Sequence, residues 1–523
     1  MALDLSTVPG ALDPHARGRQ LARLGDGQPV DVVVIGGGVT GAGVALDAAT
    51  RGLRVVLLER RDLAWGTSRW SSKLVHGGLR YLASGAVDLA LESAQERHVL
   101  LTRTAPHLVR PLPYLIPLAG DVGRAKAAEL RIGLGLGDAL RAAARTAPSA
   151  LPRSRRVSAA EALHLAPGLA ERDLRGALLG WDGQLEDDAR LVLAIARTAA
   201  AHGATILTGI DVRRAAPGDV EAVDATSGET LHLAPRAVVN ATGVWAGELD
   251  PGVQLRPSRG THLVLDPSAF GGQLRAQVSV PVPGESGRFL LVIPRPDGTV
   301  ILGLTDDPID GPIPDLPEPT AADREFLLRS ASAAFRRPIG PEQVIGAYAG
   351  VRPLVAGDAG ATADLSRRHV VHVAGSGAVT ITGGKLTTYR RMAEDALDRA
   401  VAEAGLPATP CRTTEVPLVG AASRRSLAAL AVPRRLVERH GAEAPRIAAL
   451  AARDPELARP VAPGSDVQQA ELVWAAAVEG ARDVGDLLDR RTRLGLVPER
   501  RAAAVPAAEQ ALARVADAVG AAV

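Results

Sequence analysis

The sequence predicts an α/β chain of three parts: a nucleotide-binding domain assembled from separated segments, an inserted mixed or antiparallel sheet domain, and a helical C-terminal domain. Three observations predict it. A glycine cluster stands between a strand pattern and a helix pattern at residues 36–41, and further strand candidates scatter over the first 400 residues. After about residue 406 the composition turns to Ala, Leu, Arg and Glu at helical spacing.

The apolar run Val30 to Ile35 reads as the first strand, the alanine-rich stretch to Thr50 as a helix, and Leu53 to Leu58 as a second strand, giving one βαβ unit. Ala204 to Leu207, Ala237 to Asn240 and Val379 to Thr382 read as further strands, with helices over Ala189 to His202 and Thr387 to Glu403. Shorter alternating runs lie between them at Thr261 to Leu265, Phe289 to Pro294 and Thr299 to Leu304. The last two flank Arg295-Pro296-Asp297-Gly298, a turn suited to an antiparallel hairpin. The economical division is a tail over 1–29, a nucleotide domain from 30–110, 181–250 and 345–405, a substrate domain from 111–180 and 251–344, and a helical domain over 406–523.

Composition narrows the function classes. The formal charge is +2, with 60 basic and 58 acidic residues interspersed, so no nucleic-acid-binding surface is expected. Cys411 is the one cysteine, which excludes an internal disulfide and fits a reducing compartment. The first 29 residues lack the apolar run of a signal peptide, and no stretch of about 18 apolar residues marks a spanning helix. Neither H-E-x-x-H nor paired cysteines occur, so no metal site is expected, and a G-x-S-x-G nucleophile is likewise absent.

Gly36-Gly37-Gly38-Val39-Thr40-Gly41 satisfies G-x-G-x-x-G in the strand-to-helix context that the motif requires. Gly36 allows the turn, Gly38 admits a pyrophosphate, Gly41 permits close helix packing, and the helix N-terminus faces the phosphates. Glu59 ends the second strand at about the 20-residue offset of a ribose-binding carboxylate. With Val238-Val239-Asn240-Ala241-Thr242-Gly243, a strand ending in small residues, this describes a Rossmann-like domain and favours FAD over NAD.

Two longer segments point further. Thr67-Ser68-Arg69-Trp70-Ser71-Ser72-Lys73-Leu74-Val75-His76-Gly77-Gly78-Leu79-Arg80-Tyr81-Leu82 and Gly383-Gly384-Lys385-Leu386-Thr387-Thr388-Tyr389-Arg390 resemble signatures of the FAD-dependent glycerol-3-phosphate dehydrogenases. Tyr348-Ala349-Gly350-Val351-Arg352-Pro353-Leu354, Asn240-Ala241-Thr242-Gly243, Ala470-Glu471-Leu472 and Arg490-Arg491-Thr492-Arg493 extend the resemblance from about residue 30 into the C-terminal domain. Arg69-Trp70 depart from it, standing where many members carry small residues, and Thr261 replaces the serine often found before the equivalent of His262.

The resemblance implies oxidation of sn-glycerol 3-phosphate to dihydroxyacetone phosphate by FAD. Alcohol oxidation of this kind needs a hydride acceptor, flavin N5, and a base for the hydroxyl proton. His76 and His262 are the candidate bases, and the choice between them stays open. Arg80, Tyr81, Arg352, Arg367 and Lys385 are the candidate substrate-binding residues, since guanidinium forks match phosphate oxygens and Arg368 competes with Arg367 for that alignment. Arg352 and Lys385 also join the histidines as catalytic candidates, Lys385 by placing charge and a helix N-terminus at the flavin N1–C2=O locus. Thr387 and Thr388 are candidates to cap that helix.

The implied FAD-binding residues are Gly36, Gly37, Gly38, Thr40, Gly41, Glu59, Thr67, Ser68, Ser71, Ser72, Lys73, His76, Gly77, Val212, Ala241, Thr242, Gly243, Trp245, Gly384, Lys385, Leu386 and Thr387. The related glycerophosphate oxidases carry an insertion that this sequence lacks, so a quinone is the expected electron acceptor in place of oxygen. That implies a cytoplasmic protein docked at the inner face of the cell membrane, with Leu130 to Leu140 as contact segment or, alternatively, a core helix. A homo-oligomer is compatible with the sequence. The rival readings are an amino-acid oxidase of the same broad fold and a non-catalytic dinucleotide sensor.

Overall fold

The computed structural model describes residues 7–520 apart from 84, 121, 283, 284, 286, 287 and 357–367, and it leaves the side chains of residues 80, 83, 519 and 520 undescribed. Six strands form the nucleotide sheet in the order His369–Val373, Val379–Gly383, Ala237–Asn240, Val32–Ile35, Val55–Glu59, Thr205–Thr208. All neighbours pair in parallel except His369–Val373, which runs antiparallel to Val379–Gly383. The first strand shows why its sequence is apolar without alternation. Val32 and Val34 pack into a core with helices Val39–Thr50, Asp188–Ala201 and Tyr389–Ala404, whereas Val33 and Ile35 pack against the small sheet Ile210–Ala216, Asp219–Asp224 and Thr230–Leu233.

A ten-stranded sheet forms the second layer system. Its hairpin Phe289–Pro294/Val300–Gly303 turns at Arg295–Gly298, where the Arg295 N–H donates to the Thr299 carbonyl at 2.8 Å and Gly298 takes φ +82°. Strand Ser258–Leu265 lies between this hairpin and Val344–Arg352, with His262 opposite Tyr348 and Ser258 opposite Arg352. Leu74–Val75 and Val344–Arg352 both belong to the large sheet, although the first falls inside segment 30–110 and all but Val344 of the second inside 345–405. Strand Ala177–Leu185 crosses residue 181.

Helices from Arg424 onward surround the fully buried Trp474. The N-terminal segment is more than a tail. Asp13 caps helix Pro14–Gly25 by accepting the Ala16 N–H at 2.8 Å, and Arg17 pairs with Asp224 at 3.0 Å. Leu24 packs with the nucleotide sheet and Val8 with the C-terminal core, so this segment stitches the two together. Helix Arg124–Ala143 covers Leu130 to Leu140; it buries Leu134 and Leu140 but leaves Ile132 66% and Leu136 49% exposed.

Candidate active site

Strand Val32–Ile35 delivers the glycine turn. Gly36 has φ +106°, and a Cβ there would lie 2.7 Å from the Ala241 carbonyl oxygen, while one at Gly41 would lie 1.9 Å from the Gly36 carbonyl oxygen. The chain can thus fold back only with glycine at both positions. Gly38 caps helix Val39–Thr50 without a side chain, and Ser68 Oγ accepts the Val39 N–H at 2.9 Å. Glu59 ends its strand beside this turn. Its carboxylate accepts the Gly37 N–H at 2.5 Å and the Arg61 N–H at 2.7 Å, and burial pushes its pKa up in spite of them. A helix N-terminus behind a glycine turn, with a carboxylate alongside, fits the pyrophosphate and ribose of FAD.

One cavity of about 1260 Å³ is lined by Gly36, Gly38, Thr40 and Glu59 and also by His76, Tyr81, His262, Arg352 and Lys385. His262 is 2% exposed; its Nε2 meets Ser72 Oγ at 2.8 Å, and its ring stacks on Tyr348 at 4.7 Å. Burial, followed by the charges of Lys73 and Arg352, holds its imidazole well below the ordinary histidine range. His76 has a different setting. Its side chain is 47% exposed and its Nδ1 meets Asp182 at 2.9 Å, while Asp182 also accepts from Arg97 at 2.7 Å and from the Gly77 N–H at 3.0 Å. Burial opposes the charge of Asp182, but Arg97 and His76 outweigh it and hold the carboxyl down to about 2. Asp182 thus holds the His76 ring through Nδ1 in the cavity wall.

Arg352 is held as a fork. Nη1 donates to Asp306 at 3.1 Å and to Ser258 Oγ at 3.3 Å, and Nη2 donates to the Thr305 carbonyl at 3.0 Å. Gly260 makes room for it, since a Cβ there would lie 2.1 Å from Nη2. Lys385 Nζ donates to Ser93 Oγ at 2.8 Å and stands 3.9 Å from the Tyr81 ring centroid.

Most residues named from the sequence meet in this cavity: Thr67, Ser68, Ser71, Ser72, Val212, Ala241, Thr242, Gly243, Trp245, Gly384, Leu386 and Thr387 line it as well. Gly37, Gly41, Lys73 and Gly77 do not. Lys73 is a correction. Its side chain is wholly buried, donating to the Arg69 carbonyl at 2.8 Å and to Asp188 at 2.7 Å, because φ +57° at Lys73 turns it into the protein. Burial lowers its pKa to about 8. Thr388 is another: it occupies the N-cap of helix Tyr389–Ala404 without a side-chain capping bond. Arg80 lies on helix Leu79–Ala83 next to Tyr81, with its side chain outside the described residues, and Arg367 lies outside them altogether. Sequence reasoning missed Asp182 and Asp306, which stand in no motif, and gave no role to Tyr348 although it opens one.

The chain matches the FAD dependent oxidoreductase family over residues 31–390 and the C-terminal domain of alpha-glycerophosphate oxidase over 411–521. It is 51% identical over 511 residues to Glycerol-3-phosphate dehydrogenase 1 of Mycobacterium tuberculosis, covering 96% of this chain and 99% of that one. It is 33% identical to the mitochondrial glycerol-3-phosphate dehydrogenase SDP6 of Arabidopsis thaliana, covering 91% and 81%. Among solved structures it is similar to the glycerol-3-phosphate dehydrogenase from Bacillus halodurans complexed with FAD, with TM-score 0.72, 26% identity and 97% of each chain covered. Fingerprint, cavity and full-length similarity agree, and the chain belongs to the FAD-dependent glycerol-3-phosphate dehydrogenase family.

Proposed function

We propose that this protein oxidises sn-glycerol 3-phosphate to dihydroxyacetone phosphate with FAD and passes the electrons to a quinone. The observation that carries the reading is the single cavity joining the glycine turn and Glu59 to Arg352, two histidines and Lys385. FAD, when bound, supplies the hydride acceptor at N5. The chain does the rest. Arg352, in company with Arg80 and Arg367, orients the phosphate, an imidazole of His76 or His262 takes the C2 hydroxyl proton, and the C2 hydride leaves to form the ketone. Lys385 adds positive charge to the wall. Anaerobic mixing with glycerol 3-phosphate is expected to bleach the flavin, whereas glycine, proline and glycerol leave it oxidised. A purified protein that stays colourless with added FAD would instead be a sensor.

Glu59 serves as the ribose ligand in this reading. Glu59→Ala is expected to weaken FAD binding by about 10- to 150-fold, from loss of a charge-assisted bond of about 1.5–3 kcal/mol. Glu59→Gln, which keeps one acceptor oxygen, should fall between. Quenching of flavin fluorescence on adding apoprotein measures the constant, and equal constants for parent and Glu59→Ala would remove the assignment.

The quinone reading draws on the apolar part of the same wall, where Leu79, Leu82, Leu130, Leu134, Tyr114 and Phe289 line the cavity. Helix Arg124–Ala143 contributes Leu130 and Leu134, and its exposed Ile132 and Leu136 also line the cavity beside Lys126 and Arg131, a pattern suited to a cavity mouth that rests on an anionic membrane surface at the inner face of the cell membrane. Among the described residues no helix is long and apolar enough to cross a membrane. Replacing Ile132 and Leu136 together by glutamate is expected to abolish co-sedimentation with anionic vesicles while dye reduction persists. Anaerobic quinone reduction outpacing peroxide formation in air supports the quinone; the reverse makes the protein an oxidase.

A further inference from the structure

Arg69 is 2% exposed, yet its guanidinium forms no salt bridge among the described residues. Nε donates to the Trp65 carbonyl at 2.9 Å and Nη2 has no hydrogen-bond partner among the described residues. Aromatic faces hold it instead: the guanidinium carbon lies 5.0 Å from the Trp65 centroid and 4.3 Å from the Trp70 centroid. The C-terminal domain extends the stack, with Arg490 4.9 Å from Trp65 and Arg493 5.2 Å from Trp70. Trp70, which lines the cavity itself, stacks on Tyr348 at 5.6 Å, and Tyr348 stacks on His262 at 4.7 Å.

Hydrogen bonds cross-link the same members. Arg493 spans Asp187 at 3.1 Å, the Asp489 carbonyl at 2.7 Å and the Arg69 carbonyl at 2.7 Å, and Tyr348 Oη donates to the Ser71 carbonyl at 2.9 Å. His262 Nδ1 has no hydrogen-bond partner among the described residues, so the ring is set by Ser72 Oγ, by the face of Tyr348 and by the Gly303 backbone, where a Cβ would lie 2.3 Å from Cδ2.

We propose that Arg69, Trp70 and Arg493 are positioning residues through which the C-terminal domain fixes the His262 ring in the cavity wall. This rests on the reading of the cavity as the site of alcohol oxidation. In a close-packed interior a displaced ring displaces its neighbour, and small misplacement of reacting groups is costly. Arg493→Lys keeps a cation but cannot span three acceptors, Trp70→Leu removes the stacking ring, and Trp70→Phe retains one.

Two readouts test it. In anaerobic single turnover with glycerol 3-phosphate, Arg493→Lys and Trp70→Leu are expected to slow flavin reduction per bound flavin by about ten- to a hundred-fold, with half-saturation little changed, and Trp70→Phe to recover most of the rate. In protein labelled with ¹⁵N-histidine and measured without substrate, the His262 ring signals, identified by their loss in His262→Gln, should move in the first two variants and stay near the parent positions in Trp70→Phe. Unmoved ring signals overturn the proposal, as does parental reduction per bound flavin in both variants. If Arg493→Lys does not fold, Arg69→Met, which fills the slot between the indoles without charge, takes its place in both measurements. A parent flavin that glycerol 3-phosphate does not reduce sinks the substrate reading alone, and the ring signals then decide the positioning.

Discussion

Arg352→Ala is expected to lower kcat/KM for glycerol 3-phosphate by roughly 30-fold to several thousand-fold, from about 2–5 kcal/mol for truncating one partner of a desolvated, hydrogen-bonded charge pair. The wall already holds this guanidinium in place through Asp306, Ser258 and the Thr305 carbonyl, so little ordering is left to the moment of binding. A three-carbon polyol presents little apolar area, whereas a phosphate offers three oxygens to a planar donor. Arg352→Lys should therefore recover little, because a point charge cannot reproduce the fork. Glycerol should be a very poor substrate for the parent.

Loss of Arg352 also leaves the Asp306 charge facing the phosphate without that guanidinium between them. Adding Asp306→Asn to Arg352→Ala separates the two effects: recovery close to the parent value would attribute the loss to repulsion. Steady-state assays with an artificial acceptor measure all four proteins. Normal turnover by Arg352→Ala, or glycerol serving the parent as well as its phosphate ester, would end the phosphate-clamp reading and favour an amino-acid-oxidase type of substrate.

The second large effect concerns the proton. His76→Ala and His262→Ala are compared one at a time in anaerobic flavin reduction, and in one of them the rate should fall by about 10²–10⁴-fold while substrate still binds. The pH profile tells which. A base must be neutral to act, so activity is lost as pH falls through its pKa. Burial holds the His262 pKa well below the ordinary value, which moves that loss to more acidic pH and leaves the rate flat through the neutral range. An acid limb of kcat/KM near the ordinary histidine value would exclude His262 as its source. Near-parental reduction by both variants would turn attention to Lys385.

Much of the nucleotide end was legible because its causes are local. The turn at Gly36 needs φ +106°, and Gly41 must admit the Gly36 carbonyl oxygen 1.9 Å from where its Cβ would stand; both demands write glycine into fixed places beside an apolar strand. Strand Ala237–Asn240 and the hairpin at Arg295–Gly298 were readable for the same reason, since alternation, apolar runs and turn chemistry act within a few residues. The predicted strand carrying His262 follows from the pattern Thr261 to Leu265.

The sequence by itself therefore determined the FAD fingerprint, the order of the elements and the candidate side chains for binding phosphate and taking a proton. Tertiary structure alone decided how those side chains are used. Lys73 sits in the motif between Ser72 and Leu74, but its left-handed backbone sends it to Asp188, 115 residues away. His76 acquires its orienting carboxylate from Asp182, Arg352 its own from Asp306, and His262 its neutrality from burial beneath Tyr348. The Arg491 fork closes on Asp62 across 429 residues, tying the C-terminal domain to the segment that follows Glu59. Such pairings carry no local signal, because they are fixed by which surfaces the sheets and helices bury against one another and by the need of every buried charge for a partner.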